Sequence, residues 1–398
     1  MNHMAQRLSK VVSRQEIAGS SLLWQSAACL PLSAQGCCQC AKACPTDALE
    51  FNGGIPSVTA QCTDCARCAA ACPTDALQRK HFPAPVAKNV RSGEPVFIDC
   101  SKVPRPHSPE VTIRVPCLGA ISTGWLLKLQ DQIGDAPIVA LDRGWCSSCR
   151  SGGDSACSAT NVVADAGRMF ADAGIPLQLQ PRIERHPLRL VKMPDAIPAA
   201  VEETLISRRG LFSLGFSEAA GLAVGALNTH GASVDTALPP LGTVGRLIPA
   251  EQIRRMTALL SIRSRYPGSP ATLPLPAVSI ENNQCENHGI CAAVCPTGAL
   301  VKYGDNGAAG IRFNALLCVS CRQCERDCPQ QAIRFTALRG TLPQDIEQEL
   351  TRHPVKVCVK CDDEFSGAPG ETCPVCRKTE ALFVRRVVAN EPSGNAVA

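Results

Sequence analysis

The chain has 398 residues, a length typical of two to four domains. Hydrophobic residues make up 45% of it, so buried cores can form and global disorder is excluded. Aromatic residues make up only 4%, which argues against a stacking platform for nucleic acid. The net charge is +5, and residues 182–265 hold eleven Arg and Lys against seven Asp and Glu, which predicts only a weak preference for an acidic partner.

The sequence contains no run of 18 apolar residues free of charge, so we expect no transmembrane span, while peripheral membrane contact stays open. Residues 1–24 form an N-terminal segment without the apolar core of a signal peptide, which predicts a cytoplasmic protein. In that reducing compartment the 25 cysteines are interpreted as metal ligands and not as disulfides.

The first predicted domain, residues 25–90, contains a complete run of cysteines spaced by two, two and three residues: Cys62, Cys65, Cys68 and Cys72. Three thiolates on one tight loop suit three irons of a cubane cluster, and the fourth reaches a partner cluster. Proline follows the fourth cysteine, where we expect a helix to begin.

An incomplete run lies upstream, formed by Cys37, Cys40 and Cys44. Ala34 occupies the position of its first ligand, so we interpret Cys29 as the missing ligand, returned by a widened loop. Cys38 is then a spare thiol, although it is also the rival for that ligand position.

The domain at residues 280–340 carries the same two patterns. Its complete run is Cys318, Cys321, Cys324 and Cys328, and its incomplete run is Cys285, His288, Cys291 and Cys295. His288 occupies the second ligand position, where an imidazole would raise the reduction potential. The alternatives are an open corner with a [3Fe–4S] cluster, or a degraded site in which His288 is a loop residue.

Residues 25–80 and 280–336 each resemble a bacterial-type two-cluster [4Fe–4S] ferredoxin domain. The resemblance implies a pseudo-twofold (βαβ)₂ unit with two clusters, each taking its fourth thiolate from the other run. Carried over, cluster one takes Cys29, Cys37, Cys40 and Cys72, and cluster two takes Cys62, Cys65, Cys68 and Cys44. Cluster three takes Cys285, Cys291 and Cys328 with or without His288, and cluster four takes Cys318, Cys321, Cys324 and Cys295. The expected cofactors are three to four [4Fe–4S] clusters, one of them with [3Fe–4S] as the alternative.

Between these domains, residues 91–181 alternate predicted strands at 96–99, 111–115, 136–141 and 177–180 with predicted helices at 122–134 and 155–174. This alternation predicts a small parallel α/β domain. Cys100 and Cys117 follow the first two strands, and Cys146 and Cys149 follow the third. The four thiols are therefore expected at the carboxyl edge of the sheet, where such folds bind ligands.

The segment PCLGAI and the later Gly-x-Cys-x2-Cys loop of this domain resemble the iron–sulfur delta subunit of methyl-viologen-reducing hydrogenases. The resemblance implies a [2Fe–2S] cluster on Cys100, Cys117, Cys146 and Cys149. A redox-active dithiol and purely structural thiols are the alternatives, because a C-x2-C pair also suits thiol exchange. Cys157 is interpreted as a core residue.

Residues 182–279 lack cysteine and are rich in Pro, Gly and Arg, which predicts a linker with short helices. Residues 207–212, SRRGLF, resemble a twin-arginine export motif but lie mid-chain, so a linker is preferred and an amphipathic docking helix is the alternative. Residues 250–264 predict a helix with Ile253, Met256, Leu259 and Leu260 on one face.

Residues 350–385 carry two C-x2-C knuckles formed by Cys358, Cys361, Cys373 and Cys376. Two such knuckles are typical of a zinc ribbon with a closed, structural S4 site, and a rubredoxin-like iron centre is the rival. The ribbon has few aromatic residues and no basic run nearby, so we expect a protein partner and no nucleic acid. Residues 386–398 are predicted to be a disordered tail.

The sequence therefore predicts an α+β and α/β multidomain protein: two ferredoxin-like units, a small parallel α/β domain between them and a C-terminal zinc ribbon. It contains no recognisable nucleophile set, phosphate loop or dinucleotide fingerprint, so we expect no catalytic site of its own. The leading hypothesis is an electron carrier, a polyferredoxin, serving a hydrogenase, formate dehydrogenase or heterodisulfide-reductase-like complex. The alternatives are an accessory factor that matures a metalloenzyme and an iron–sulfur redox sensor, the latter disfavoured because no DNA-reading helix is apparent.

Overall fold

The computed structural model describes residues 14–30, 37–84, 90, 93–153, 156–189, 246–266, 272–273, 275–305, 307–337, 340–341, 347–367 and 370–380. The SRRGLF segment at 207–212 and the tail at 386–398 lie outside these residues. The protein divides into two compact units, which we describe separately. Unit 1 comprises Met1–Leu275, Leu316–Cys321 and Leu338–Gln344, and unit 2 comprises Pro276–Ala315, Arg322–Ala337 and Asp345–Ala398.

Unit 1 begins with two small antiparallel sheets and two helices of a single turn. In chain order these are β1 (Gln15–Glu16), β2 (Leu22–Trp24), α1 (Gln39–Lys42), β3 (Leu49–Asn52), β4 (Ile55–Val58), α2 (Arg67–Ala70) and β5 (Leu77–Arg79). The first sheet has the order β1-β2-β5, so β2, which precedes residue 25, pairs with β5 at residues 77–79. Strands β3 and β4 form a hairpin whose turn uses Gly53 and Gly54 at positive φ, as a tight two-residue turn requires.

The prediction that proline begins a helix after the fourth cysteine of each run is wrong. The helices α1 and α2 precede Cys44 and Cys72, and each of these cysteines is followed by a turn that leads into a strand. Asp47 and Asp75, three residues after each cysteine, have φ of +49° and +53°, which a continuing right-handed helix excludes. The turn after Cys44 leads the backbone into β3, and the turn after Cys72 leads it into β5.

The middle of unit 1 is a parallel α/β domain, as predicted. It consists of β6 (Val96–Cys100), β7 (Thr112–Val115), α3 (Thr123–Ile133), β8 (Ile138–Asp142), α4 (Thr160–Asp172) and β9 (Arg182–Arg185). All four strands are parallel in the order β7-β6-β8-β9, so the strand order reverses between β6 and β8. The strands and helices enclose a core that includes Ile98, Leu127 and Phe170, each fully buried.

The predicted strand at 177–180 is wrong, because Leu177–Leu179 form a 3-10 turn between Pro176 and Pro181. Leu177 is 74% exposed and only Leu179 is buried, so the alternating pattern does not reflect one face of a strand. The fourth strand lies directly after Pro181, at β9.

The predicted helix at 250–264 is confirmed by α5 (Ala250–Ser264), which contacts α3. Met256 and Leu259 face the core as expected, whereas Leu260 is 38% exposed and Ile262 is buried instead. The predicted apolar face is therefore wrong at Leu260, which lies one residue away from the buried stripe.

The remaining strands and helices are β10 (Thr272–Leu273), β11 (Pro276–Ile280), α6 (Ile290–Ala293), β12 (Leu300–Asp305), β13 (Ala308–Asn314), α7 (Gln323–Arg326), β14 (Ile333–Ala337), β15 (Gly340–Thr341), β16 (Glu347–Val357) and β17 (Glu364–Ser366). In unit 1, β10 pairs with β15. In unit 2, β11 pairs with β14, and an antiparallel sheet has the order β12-β13-β16-β17. Strand β16 pairs with β13 along most of its length and ends beside Cys358, so it leads directly into the first C-x2-C knuckle.

None of the described helices is both long and apolar enough to cross a bilayer.

Candidate iron–sulfur and metal sites

Three of the predicted cluster loops share one backbone pattern. The residue before the second ligand position and the residue after it both have positive φ in each loop: Asp64 and Ala66, Asn287 and Gly289, Ser320 and Arg322. Five of these six residues are not glycine, and such residues seldom adopt this conformation. Alternating right- and left-handed residues turn consecutive N–H groups to one side and form an anion-binding concavity. His288 therefore stands where Cys65 and Cys321 stand in the complete runs.

Cys29, Cys37, Cys40 and Cys72 line one cavity of about 400 Å³, including its open mouth. Its other walls are largely apolar. Burial, reinforced by the thiolate of Cys72, raises the pKa of Cys40 to about 12, so an unbound thiol here stays protonated. Cys38 is not among the described residues that line this cavity.

Cys44, Cys62, Cys65 and Cys68 line a second cavity of about 340 Å³. The backbone N–H of Ala48 donates to Cys44 Sγ at 3.2 Å. Burial raises the pKa of both Cys65 and Cys68. The fourth cysteine of each run thus lies in the cavity of the other run, which is the exchange that the ferredoxin resemblance implies.

Cys100, Cys117, Cys146 and Cys149 line a third cavity of about 450 Å³ at the carboxyl ends of the parallel strands. Cys100 ends β6 and the Cys146–Cys149 loop follows β8, so the cavity lies where the strand order reverses, the usual ligand position in such sheets. The N–H of Gly119 donates to Cys117 Sγ at 3.4 Å.

Sequence reasoning missed two cations at this third cavity. Lys102 is only 6% exposed, and its Nζ donates to Cys149 Sγ at 3.5 Å. Arg143 also lines the cavity and forms a buried ion pair with Asp99, with 2.6 Å between Nη2 and Oδ2. The sequence does not mark either cation, because their burial depends on contacts between distant segments of the fold.

Cys157 is buried in the core as predicted, but its thiol also contacts that of Cys146, which lines the third cavity. It hydrogen-bonds the thiol of Cys146, which lowers the pKa of Cys146 to about 6 and raises the pKa of Cys157. Cys146 therefore becomes a thiolate more readily than Cys100 or Cys117, whose pKa values are raised by burial.

In unit 2, Cys285, Cys291 and Cys328 lie close enough that the thiolate of Cys328 contributes to raising the pKa of the other two, after burial as the main cause. His288 Nε2 lies 3.4 Å from Glu286 Oε2, and that carboxylate oxygen is 3.7 Å from Arg377 Nη2. The imidazole thus has one nitrogen beside a carboxylate, as metal-bound histidines commonly do.

Among the cysteines predicted for cluster four, Cys318 and Cys324 are buried, and Cys321 and Cys295 are half-buried. The N–H of Ser320 donates to Cys318 Sγ at 3.4 Å, which is the same contact that Asn287 makes with Cys285 Sγ. The ligand set of cluster four stays a prediction.

Cys358, Cys361, Cys373 and Cys376 form a compact group in which all four Sγ atoms lie within 4.8 Å of one another. Thiolates at about 2.3 Å from a tetrahedral zinc would be roughly 3.8 Å apart, and the Sγ atoms of Cys361 and Cys373 are 3.7 Å apart. The N–H of Cys373 donates to Cys358 Sγ at 3.2 Å and lowers the pKa of Cys358 to about 6. The geometry and the donor set both fit a closed tetrahedral metal site.

Among the described residues, four groups of four cysteines therefore offer sets of soft thiolate ligands. No protein-family model matches the protein. A stretch of 99 residues is 29% identical to the B subunit of the anaerobic dimethyl sulfoxide reductase of Haemophilus influenzae. That stretch is 25% of this protein and 38% of the relative, so the match covers well under half of the relative's length. Part of the protein is thus similar to part of a reductase subunit.

Proposed function

We propose that the protein is an iron–sulfur electron-transfer protein, a polyferredoxin that relays electrons within or to a larger oxidoreductase. The observation that carries this proposal is the set of three separate four-cysteine cavities in unit 1. A single such cavity would suit a structural metal, whereas several in one unit favour a relay. Iron–sulfur clusters bound there would supply one-electron redox chemistry.

The cavities suit iron–sulfur clusters by their donors and their walls. Each offers four thiols and mostly apolar lining, and backbone N–H groups point at the sulfurs of Cys44 and Cys117. Such N–H groups stabilise thiolates and raise cluster potentials. The protein's own contribution is to hold the thiolates, exclude water and set the local charge. We propose [4Fe–4S] clusters at the first two cavities and [2Fe–2S] at the third.

Iron and sulfide analysis of anaerobically purified full-length protein tests the cofactor content. With both ferredoxin-like regions and the third cavity filled, we expect about 14–18 iron atoms per molecule, counting clusters from the ligand runs. A content of about eight to ten iron atoms would show that one ferredoxin-like region is empty.

The assignment of Cys29 has a matched control in Cys38. Cys29→Ser should remove about four iron atoms per molecule, because it removes a ligand that lines the first cavity. Cys38→Ser should leave iron content and spectrum unchanged. The reverse pattern would make Cys38 the ligand.

We propose an oxidoreductase catalytic subunit as the partner. The relative is named as one component of a reductase, which supports a protein that works beside others. Stable anaerobic co-purification with a catalytic subunit is the expected result. Transient binding to an apo-enzyme alone would favour the accessory role, with Cys38 or the Cys146 and Cys149 pair as transfer groups.

We propose that Cys358, Cys361, Cys373 and Cys376 hold structural zinc. Val357, Val359 and Val375 near this site are 57%, 63% and 71% exposed, which supports a protein partner for this region. Metal analysis should find one zinc per molecule, and one additional iron without zinc would indicate the rubredoxin-like alternative.

A further inference from the structure

Arg67 extends from the loop of the second cavity to the loop of the third. It lies between Cys65 and Cys68 in sequence, at the start of α2. Its Nη1 donates to the carbonyl oxygens of Ser151 and Gly152, at 3.2 and 2.7 Å. Those carbonyls belong to the loop that follows Cys149. One guanidinium thus joins two loops that are distant in sequence, since Arg67 is 84 residues from Ser151 and 85 residues from Gly152.

Two glycines leave room for the Arg67 side chain on its way across. A Cβ at Gly119 would lie 3.1 Å from Arg67 Cδ and Nε, and a Cβ at Gly153 would lie 2.9 Å from Nη1. Gly119 follows Cys117 by two residues, and Gly153 has φ of +67°. Both loops of the third cavity therefore have a glycine where the arginine passes.

The cysteines on either side of this contact also share one buried cluster. Cys65 and Cys117 are 7% and 5% exposed, and they pack together with Ala66 and Ala120. The Cys117 thiol donates to the Ser151 carbonyl oxygen at 3.6 Å, which is the same oxygen that Arg67 binds. Because both thiols are buried, water screens the electrostatic interaction between charges on Cys65 and Cys117 only weakly.

Arginine suits this position because its planar guanidinium stays charged and presents several donors in a fixed arrangement. Its charge lies near the thiols of both cavities. Burial raises the pKa of Cys65, and the guanidinium of Arg67 opposes that rise. A cation favours the more negative, reduced form of a thiolate-bound site.

We infer that Arg67 is a positioning residue shared by the second and third cavities, one that holds Cys65 against Cys117 and raises the reduction potential of both sites. This inference rests on the proposed function, because a reduction potential requires iron–sulfur clusters at both sites. It adds that the second and third sites are a coupled pair.

The test is a redox titration of the full-length, anaerobically prepared protein followed by EPR. Cys65→Ser and Cys100→Ser first identify the signals of the second and third sites by their loss. Arg67→Met should then lower the one-electron reduction equilibrium constant of both sites at least tenfold, about 59 mV. The signal lost in Cys29→Ser should keep its potential and serves as the internal reference.

Two further variants separate charge from structure. Arg67→Lys should recover part of both potentials, because it restores the charge without the planar group. Arg168→Met is the matched control, since Arg168 is 63% exposed on α4 and its loss should move neither potential. The inference is overturned if Arg67→Met keeps its iron but leaves either potential unchanged.

A measurement on the wild-type protein tests the coupled pair even if the Arg67 variants do not fold. When both sites are reduced, spin–spin interaction should broaden the signal of the second site, and Cys100→Ser should remove the part of that broadening that the third site causes. Two signals without any interaction would refute the coupled pair and leave the proposed function intact. If neither signal exists, the proposed function fails together with the inference.

Discussion

The carbonyl oxygen of Cys146 lies directly over Gly152, so closely that a Cβ at position 152 would be 1.8 Å from it. The N–H of Gly152 donates to the carbonyl of Cys149 at 2.8 Å, and its own carbonyl accepts from Ser158 Oγ at 3.0 Å. The loop that carries Cys146 and Cys149 is thus folded back on itself around a residue that has to lack a side chain.

Gly152→Ala should therefore disrupt the third cavity. Backbone must move to accept the methyl group, because the obstructing atom is a carbonyl oxygen and not a flexible side chain. We expect loss of about two iron atoms per molecule and of the [2Fe–2S] signal, with the [4Fe–4S] signals retained. Gly167→Ala is the control, because its Cβ would meet only Gln180 Oε1 at 3.6 Å and alanine favours helix α4. Unchanged iron in Gly152→Ala would contradict the assignment of this loop.

Cysteine spacing predicts candidate sites from sequence alone, because ligand runs are short and their geometry is set by nearby residues. The parallel α/β domain was predictable for a similar reason, since strand and helix periodicities are local. The contacts of Arg67 and Lys102 were not predictable, because each depends on segments dozens of residues away. The strand at 177–180 failed because alternation of Leu and Gln cannot separate a strand from a 3-10 turn bounded by two prolines.

His353 on β16 predicts a pH dependence of stability in unit 2. Its side chain is buried, Nε2 has no hydrogen-bond partner among the described residues, and burial lowers its pKa below the ordinary 6.5. The unfolded state therefore binds a proton more readily than the folded one, so stability is complete above pH 6.5 and falls as the pH drops below it. Hydrogen exchange of the β16 amides, corrected for intrinsic rates, should show a lower opening free energy at pH 5.5 than at pH 7.5, by at most about 1.4 kcal/mol.

His353→Leu should remove most of this pH dependence and cost little stability at pH 7.5, since the buried nitrogen has no partner to lose among the described residues. His186→Leu provides the comparison, because the His186 side chain is 51% exposed beside Glu184 and should not alter exchange in β16. If His353→Leu keeps the slope of the wild type, another group is responsible for it.

The site formed by Cys358, Cys361, Cys373 and Cys376 and the loop that carries His288 should respond together to metal loss. Both lie in unit 2, and Asn287 Nδ2 donates to Ser366 Oγ at 2.7 Å, between the loop of Cys285 and the ribbon. Cys373→Ser should release the zinc and unfold the knuckles, because a structural metal supplies folding energy to its own small region. We expect the EPR signal of cluster three to broaden or shift while the signals of unit 1 persist. Asn287→Ala should reproduce the cluster-three change with zinc retained, and an unaltered signal in both variants would refute the coupling.

Replacing His288 by cysteine should create an ordinary four-thiolate site. A neutral imidazole or an absent ligand places less negative charge on the cluster than a thiolate does, so cluster three should have the highest potential of the cubane-type sites. His288→Cys should lower the one-electron reduction equilibrium constant of cluster three at least tenfold, which corresponds to a potential about 59 mV lower. If the corner is open in the wild type, an oxidised [3Fe–4S] signal near g of about 2 should be present and should vanish in His288→Cys.

His288→Ala distinguishes a histidine ligand from an open corner. It should change the spectrum if the imidazole binds iron beside Glu286, and leave the spectrum unchanged if the corner is open. Indistinguishable titrations of wild type and His288→Cys would show that His288 is only a loop residue.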